Sequence, residues 1–169
     1  MIPDGWVHYH LGWGDLLLAA QVGVHRQVCG LALGRQHTYG ARDDGDQWRR
    51  HIQGACGELV VARLLGVEWT GARATCQSGG TDVGGLEVRT LTDHAWDLIV
   101  RAKDPDDALV VLVTGEAPVF RVQGFTQAGW ARRTYRPQVL ASGRPGVTLV
   151  PQADLWPMRS MGLVLAAVA

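Results

Sequence analysis

Between residues 79 and 90 the chain reads Gly-Gly-Thr-Asp-Val-Gly-Gly-Leu-Glu-Val-Arg-Thr, two glycine pairs framing two carboxylates and a cation. Glycine tolerates the positive φ that tight turns require. Gly84-Gly85 therefore predicts a two-residue turn, with Asp82 ending one strand and Glu87 inside the next. Alternation along residues 86–91 then sends Glu87 and Arg89 to one face and Leu86, Val88 and Thr90 to the other. Asp82 and Glu87 have opposite parity on a continuous strand, so they converge only if the chain turns or bulges between them. Two readings stand side by side: a metal site on a β-hairpin, and a polar hairpin whose charged face is simply wet.

Upstream, residues 51–66 carry apolar side chains at 52, 55, 56, 59, 60 and 64, a helical spacing that Gly66 terminates. Glu58 lies beside that stripe, with Ala62 one turn further on. A helix glutamate followed by an aspartate at a turn and a glutamate on a strand suits oxygen ligation of a hard cation, whereas a dipole partner or a surface residue is the alternative for Glu58.

Together these segments resemble the PD-(D/E)XK nuclease superfamily, in particular short phage-type members that run Gly-x-x-Gly-Glu, helix, Leu-Gly, then Asp-Val-Gly and Glu-Val-Arg-Thr. The resemblance covers residues 45–160, with 1–44 as an N-terminal helical extension of a single domain, 1–169. It implies a restriction-endonuclease-like fold in which Glu58, Asp82, Glu87 and the Val88 carbonyl gather Mg²⁺ or Mn²⁺ beside a scissile phosphate. The expected activity is phosphodiester hydrolysis of nucleic acid, with DNA as the expected substrate and catalysis by Glu58, Asp82, Glu87 and Arg89. The departure is at Arg89, where the family has lysine. Arginine keeps its proton, so it acts through charge and its donor fork and not as a base. Lys103, the one lysine of the chain, is an accessory candidate, while its Asp104-Pro105-Asp106-Asp107 neighbours read as an ordinary turn. The alternatives are a catalytically inactive nuclease-fold module that binds nucleic acid or protein, and a structural phage component.

Composition limits the partners. Lys+Arg equals Asp+Glu at 16 each, so no global field draws the protein to nucleic acid or acidic membranes, and any basic footprint is local. Arg132, Arg133 and Arg136 form the densest basic cluster, read either as a phosphate-tracking surface or as a solvated helix end. His8 and His10 have the spacing of a strand metal pair, against which two solvent-facing histidines are the plainer reading. The three cysteines are widely spaced and read as buried thiols of a reducing compartment. Met1-Ile2-Pro3-Asp4 lacks the basic start and apolar core of a secretory signal, so none is expected, and the apolar residues 162–169 are too few to span a bilayer, which takes about 20 residues. These readings lead to an expected cytoplasmic location away from membranes, and the resemblance implies that of a bacterium or phage-infected host.

The remaining pattern gives a short strand at 6–10 and a long helix at 12–33 with Leu16, Leu17, Ala20, Val24, Val28 and Leu31 at helical spacing. A polar loop at 35–46 supplies Asp44 or Asp46 as cap for the Glu58 helix. Strands are expected at 67–70, 96–101, 108–114, 119–124 and 147–150, with 108–114 central and 96–101 beside the Glu87 strand. A helix is expected at 126–133 with Thr126 as cap, and a helical turn near 154–158. The sum is an α+β (or α/β) chain with a mixed sheet of about five strands flanked by helices.

Overall fold

The structure, a computed structural model, describes residues 5–34, 47–69, 71, 81–140 and 145–161. It is α+β, with strands β1 (Val7–His10), β2 (Leu86–Leu91), β3 (Leu98–Arg101), β4 (Leu109–Glu116), β5 (Val119–Gln127) and β6 (Val147–Val150). The helices are α1 (Trp13–Ala32), α2 (Gln47–Leu65) and α3 (Ala128–Thr134), and short 3₁₀ turns occupy Gln152–Asp154 and Met158–Ser160. The strands divide into a four-stranded mixed sheet of order β1-β5-β4-β2 and a separate two-stranded sheet, β3-β6, where the sequence suggests one sheet of about five.

The run at 108–114 is central as expected. β4 pairs in parallel with β2 and antiparallel with β5, and it is buried along nearly its whole length. The expectation that 96–101 lies beside the Glu87 strand is corrected, because β3 pairs with β6 and the neighbour of β2 is β4. An eight-residue strand that is apolar on both faces offers more buried surface to β2 than the four-residue β3 does.

One face of the main sheet carries Leu86, Val88, Val111, Val113, Val122 and Phe125 and packs under α2, which contributes Ala55, Cys56, Leu59 and Val60. The other face carries Val110 and Leu112 and is covered by Ala128 and Ala131 of α3 and by Leu98, Val100 and Val150 of the small sheet. Helices, main sheet, and α3 with the small sheet thus form three layers.

Three local expectations are revised. Residues 67–69 are not a strand: the Val67 N–H closes onto the Ala62 carbonyl as the helix ends, and the Trp69 indole turns back to Glu58. β5 runs on through Thr126, which pairs with Val110, so α3 starts at Ala128 and Thr126 does not cap it. Thiols are the third point. Cys56 is a buried free thiol, but Cys29 is disulfide-bonded, which removes the thiol-based support for a reducing cytoplasm. The Asp44 or Asp46 cap, the loop at 35–46 and the tail at 162–169 lie outside the described residues.

In α1 the stripe Leu17, Val24, Val28 and Leu31 faces solvent, and Ala19, Val22, Gly23 and Gln27 face α2. Small residues win the packed side because they let the helices approach closely. A Cβ on Gly23 would stand 2.5 Å from the Ile52 backbone. Among the described residues, no helix is long and apolar enough to cross a membrane.

Candidate functional site

The turn before β2 forms as the glycines dictate. Gly84 and Gly85 adopt φ of 51° and 90°, and the Asp82 and Val83 N–H groups both donate to the Leu86 carbonyl. Among the described residues β2, like β1 at the other side, is an edge strand of the main sheet. Its free edge presents the Leu86 carbonyl and the Val88 N–H, and the Asp82 side chain lies along it, Oδ2 accepting from Val88 N at 2.8 Å. Asp82 therefore caps an edge that would otherwise expose an unpaired donor.

Glu58 reaches this edge from α2. Its side chain is 7% exposed and held by three donors: Arg26 Nη1 to Oε1 at 2.6 Å, Arg26 Nη2 to Oε2 at 2.7 Å, and Trp69 Nε1 to Oε2 at 3.2 Å. The fork from α1 pins a carboxylate that burial alone would not tolerate as a charge. Burial opposes the Arg26 charge, but the bonds and charge of Glu58, with Asp82 behind it, more than offset that and raise its pKa.

Asp82 itself has a raised pKa. Burial is the main cause and the charge of Glu58 adds to it, opposed by the Val88 N–H, Arg89 and Arg26. Two carboxylates are thus near enough for one to disfavour ionisation of the other, flanked by an arginine on each side.

Glu87 and Arg89 leave β2 on the opposite face. Glu87 is paired in register with Val110 and Arg89 with Leu112, whereas Val88 and Thr90 share the α2 side. Arg89 is buried. Nη1 donates to Glu87 Oε2 at 3.1 Å, and Nη2 contacts both oxygens of Asp104 at 2.9 Å. Nη1 also lies 3.4 Å from the Val88 carbonyl. Burial works against the Arg89 charge, and Asp104 and Glu87 together outweigh it, so its pKa too is raised. The Asp104 carboxylate takes a further bond from the Arg101 N–H at 2.8 Å, which locks the turn after β3.

Of the residues singled out by sequence, Glu58 and Asp82 are brought into electrostatic contact, Glu87 is tied to Arg89, and Val88 links the groups through the strand edge. Glu58, on α2, and Glu87, on β2, lie on opposite sides of the strand. Among the described residues no cluster of three or more His, Cys, Asp or Glu side chains stands ready to hold a metal ion. The oxygen donors suit Mg²⁺ or Mn²⁺ chemically, and the site disfavours the ionised form of Asp82. Lys103 lies in the same turn as Asp104 and is exposed. Arg132 bonds the Arg101 carbonyl at 3.0 Å and pairs with Asp106, whose carboxyl it holds below the usual range, so it fastens α3 to that turn. Arg133 and Arg136 are exposed at the end of α3. His8 and His10 are exposed on β1, and Arg121 stacks on Trp6 with its guanidinium carbon 4.7 Å from the ring.

Sequence reasoning missed Arg26 and Asp104. Arg26 had a signal, being the one arginine of α1 and set within its apolar run. Asp104 had none, since nothing separates it from Asp106 and Asp107 in the same run. Comparison with known protein families, curated proteins and solved structures yields no match.

Proposed function

We propose that the chain is a divalent-metal-dependent nuclease of PD-(D/E)XK type acting on nucleic acid, with DNA as the expected substrate. The observation that carries this reading is Asp82, a carboxylate at an open strand edge whose ionisation is disfavoured by burial and by Glu58, a mismatch that a hard cation relieves. Asp82 and Glu58 are the residues that would hold the ion, with the Val88 carbonyl as a further donor, while Glu87, on the other face of β2, pairs with Arg89. When bound, Mg²⁺ or Mn²⁺ supplies charge neutralisation at the phosphate and a more acidic water.

The chain's own residues do the rest. Asp82 stays oriented by the Val88 N–H. Arg26 keeps Glu58 in place and shares its charge. Arg89 remains protonated and, from the other face of β2, acts on Asp82 through its charge. Support comes from cleavage that needs Mg²⁺ or Mn²⁺ and is lost in Asp82→Ala with folding intact. Cleavage that persists in chelator rejects it.

A second reading, a non-catalytic module that binds nucleic acid, is favoured by one observation. Arg89 is buried between Glu87 and Asp104 as a structural arginine is. It predicts no cleavage under any metal, together with nucleic-acid binding that survives Asp82→Ala.

A further inference from the structure

Helix α1 is apolar on two opposite sides, and a helix of that kind is ordinarily buried all round. One side packs on α2 through Ala19, Val22 and Gly23. The other is bare: Trp13 is 88% exposed, Leu17 and Leu31 are 62% exposed, and Val24 and Val28 are also exposed. The two charged residues of the helix, Asp15 and Arg26, are both drawn inward, to Arg63 and Glu58. The outward stripe therefore carries no formal charge, and Gln21 and His25 are the polar residues at its margin.

The geometry points to a second copy of this chain as the occupant of that stripe, through an antiparallel α1–α1 pair about a two-fold axis at Val24. Leu17, Val24 and Leu31 recur every seven residues along one line of the helix. Reversed on itself about Val24, the stripe sets Leu17 of one copy against Leu31 of the other and Ala20 against Val28, so it is its own complement, as an isologous interface requires. Ala20 at this seam lets the helices approach. The absence of lysine and arginine on this face disfavours a lipid surface, which selects basic flanks, and disfavours nucleic acid for the same reason. A helix of 20 residues is about 30 Å long and about 10 Å wide. That footprint is small for a stable dimer, which makes the association a weak, concentration-dependent one.

Sedimentation velocity of the full chain across about 1–200 µM tests this, with circular dichroism to establish that each variant is folded. Wild type should move from monomer to dimer over that range. Leu17→Glu should be monomeric throughout. Leu17→Glu combined with Leu31→Lys should regain measurable dimer within that range, since each introduced carboxylate then faces an introduced ammonium across the axis. Any one of four results overturns the proposal: a wild type monomeric at the highest concentration, a dimer indifferent to Leu17→Glu, a double variant no tighter than the single one, or a monomer that instead sediments with vesicles of phosphatidylcholine and phosphatidylglycerol through Leu17.

Discussion

Replacing Arg89 with Met removes the cation but keeps much of the stem that fills its space. The Arg89 and Asp104 side chains are 8% and 5% exposed, and Asp104 loses both of its guanidinium contacts while keeping the Arg101 N–H. Breaking a buried pair from one side costs about 3–5 kcal/mol, because a charge is left buried without its partner. The unpartnered Nε of Arg89, which the wild type already leaves without an acceptor, removes a small part of that. For a chain of this size each kcal/mol shifts Tm by about 2–4 °C, so a fall of about 6–20 °C is expected. Asp104→Asn in the Arg89→Met background should recover about half of the loss, since a neutral amide still accepts from Arg101 without a buried charge. Urea and thermal melts followed by circular dichroism measure both. A loss under about 1 kcal/mol for Arg89→Met, or no recovery in the double variant, would refute the claim that Arg89 is held by a buried ion pair.

Three further outcomes are expected. Gly23→Ala adds a helix-favouring residue worth up to about 1 kcal/mol, yet the Cβ meets the Ile52 backbone at 2.5 Å; melts should show a net loss of about 1–3 kcal/mol, and a gain would mean the helices are not in close contact. Asp82→Asn should raise Tm at neutral pH without metal, by about 2–4 °C if the gain is near 1 kcal/mol. Because the folded pKa of Asp82 is raised, its stabilising contribution is present at low pH and is lost as pH climbs through that folded value, so the advantage of Asn should vanish on acidification. Cys56 is buried and its thiol is pushed up to about 11 by that burial, so alkylation in mildly alkaline buffer should be slow in the native protein and fast in denaturant; equal rates would contradict its placement.

Much of the fold was legible because periodicity is local information. α1, α2, β4, β5 and β6 follow from spacing alone, and the Gly84-Gly85 turn follows from φ. The rotation of α1 did not, since its better apolar stripe points outward and the packed side is chosen by the small Gly23 and by the reach of Arg26 to Glu58. Nor did the partner of β2, because parallel pairing with β4 joins segments that no turn connects. At the site, the types of residue were readable and their partners were not. Each arginine selects a carboxylate distant in sequence, Arg26 taking Glu58 and Arg89 taking Asp104, and such pairings are fixed by tertiary packing.

In the proposed function the Asp82 and Glu58 edge of β2 binds a hard cation for phosphodiester hydrolysis. Calorimetric titration of Mn²⁺ into wild type, Asp82→Ala and Arg89→Lys, run alongside cleavage of single- and double-stranded DNA, measures it most directly. The expected outcome is saturable Mn²⁺ binding and metal-dependent cleavage in wild type, both abolished in Asp82→Ala with the fold intact, and cleavage kept or raised in Arg89→Lys, which restores the cation of the resembled family. Absence of Mn²⁺ binding by a folded wild type, or identical binding by Asp82→Ala, would contradict it.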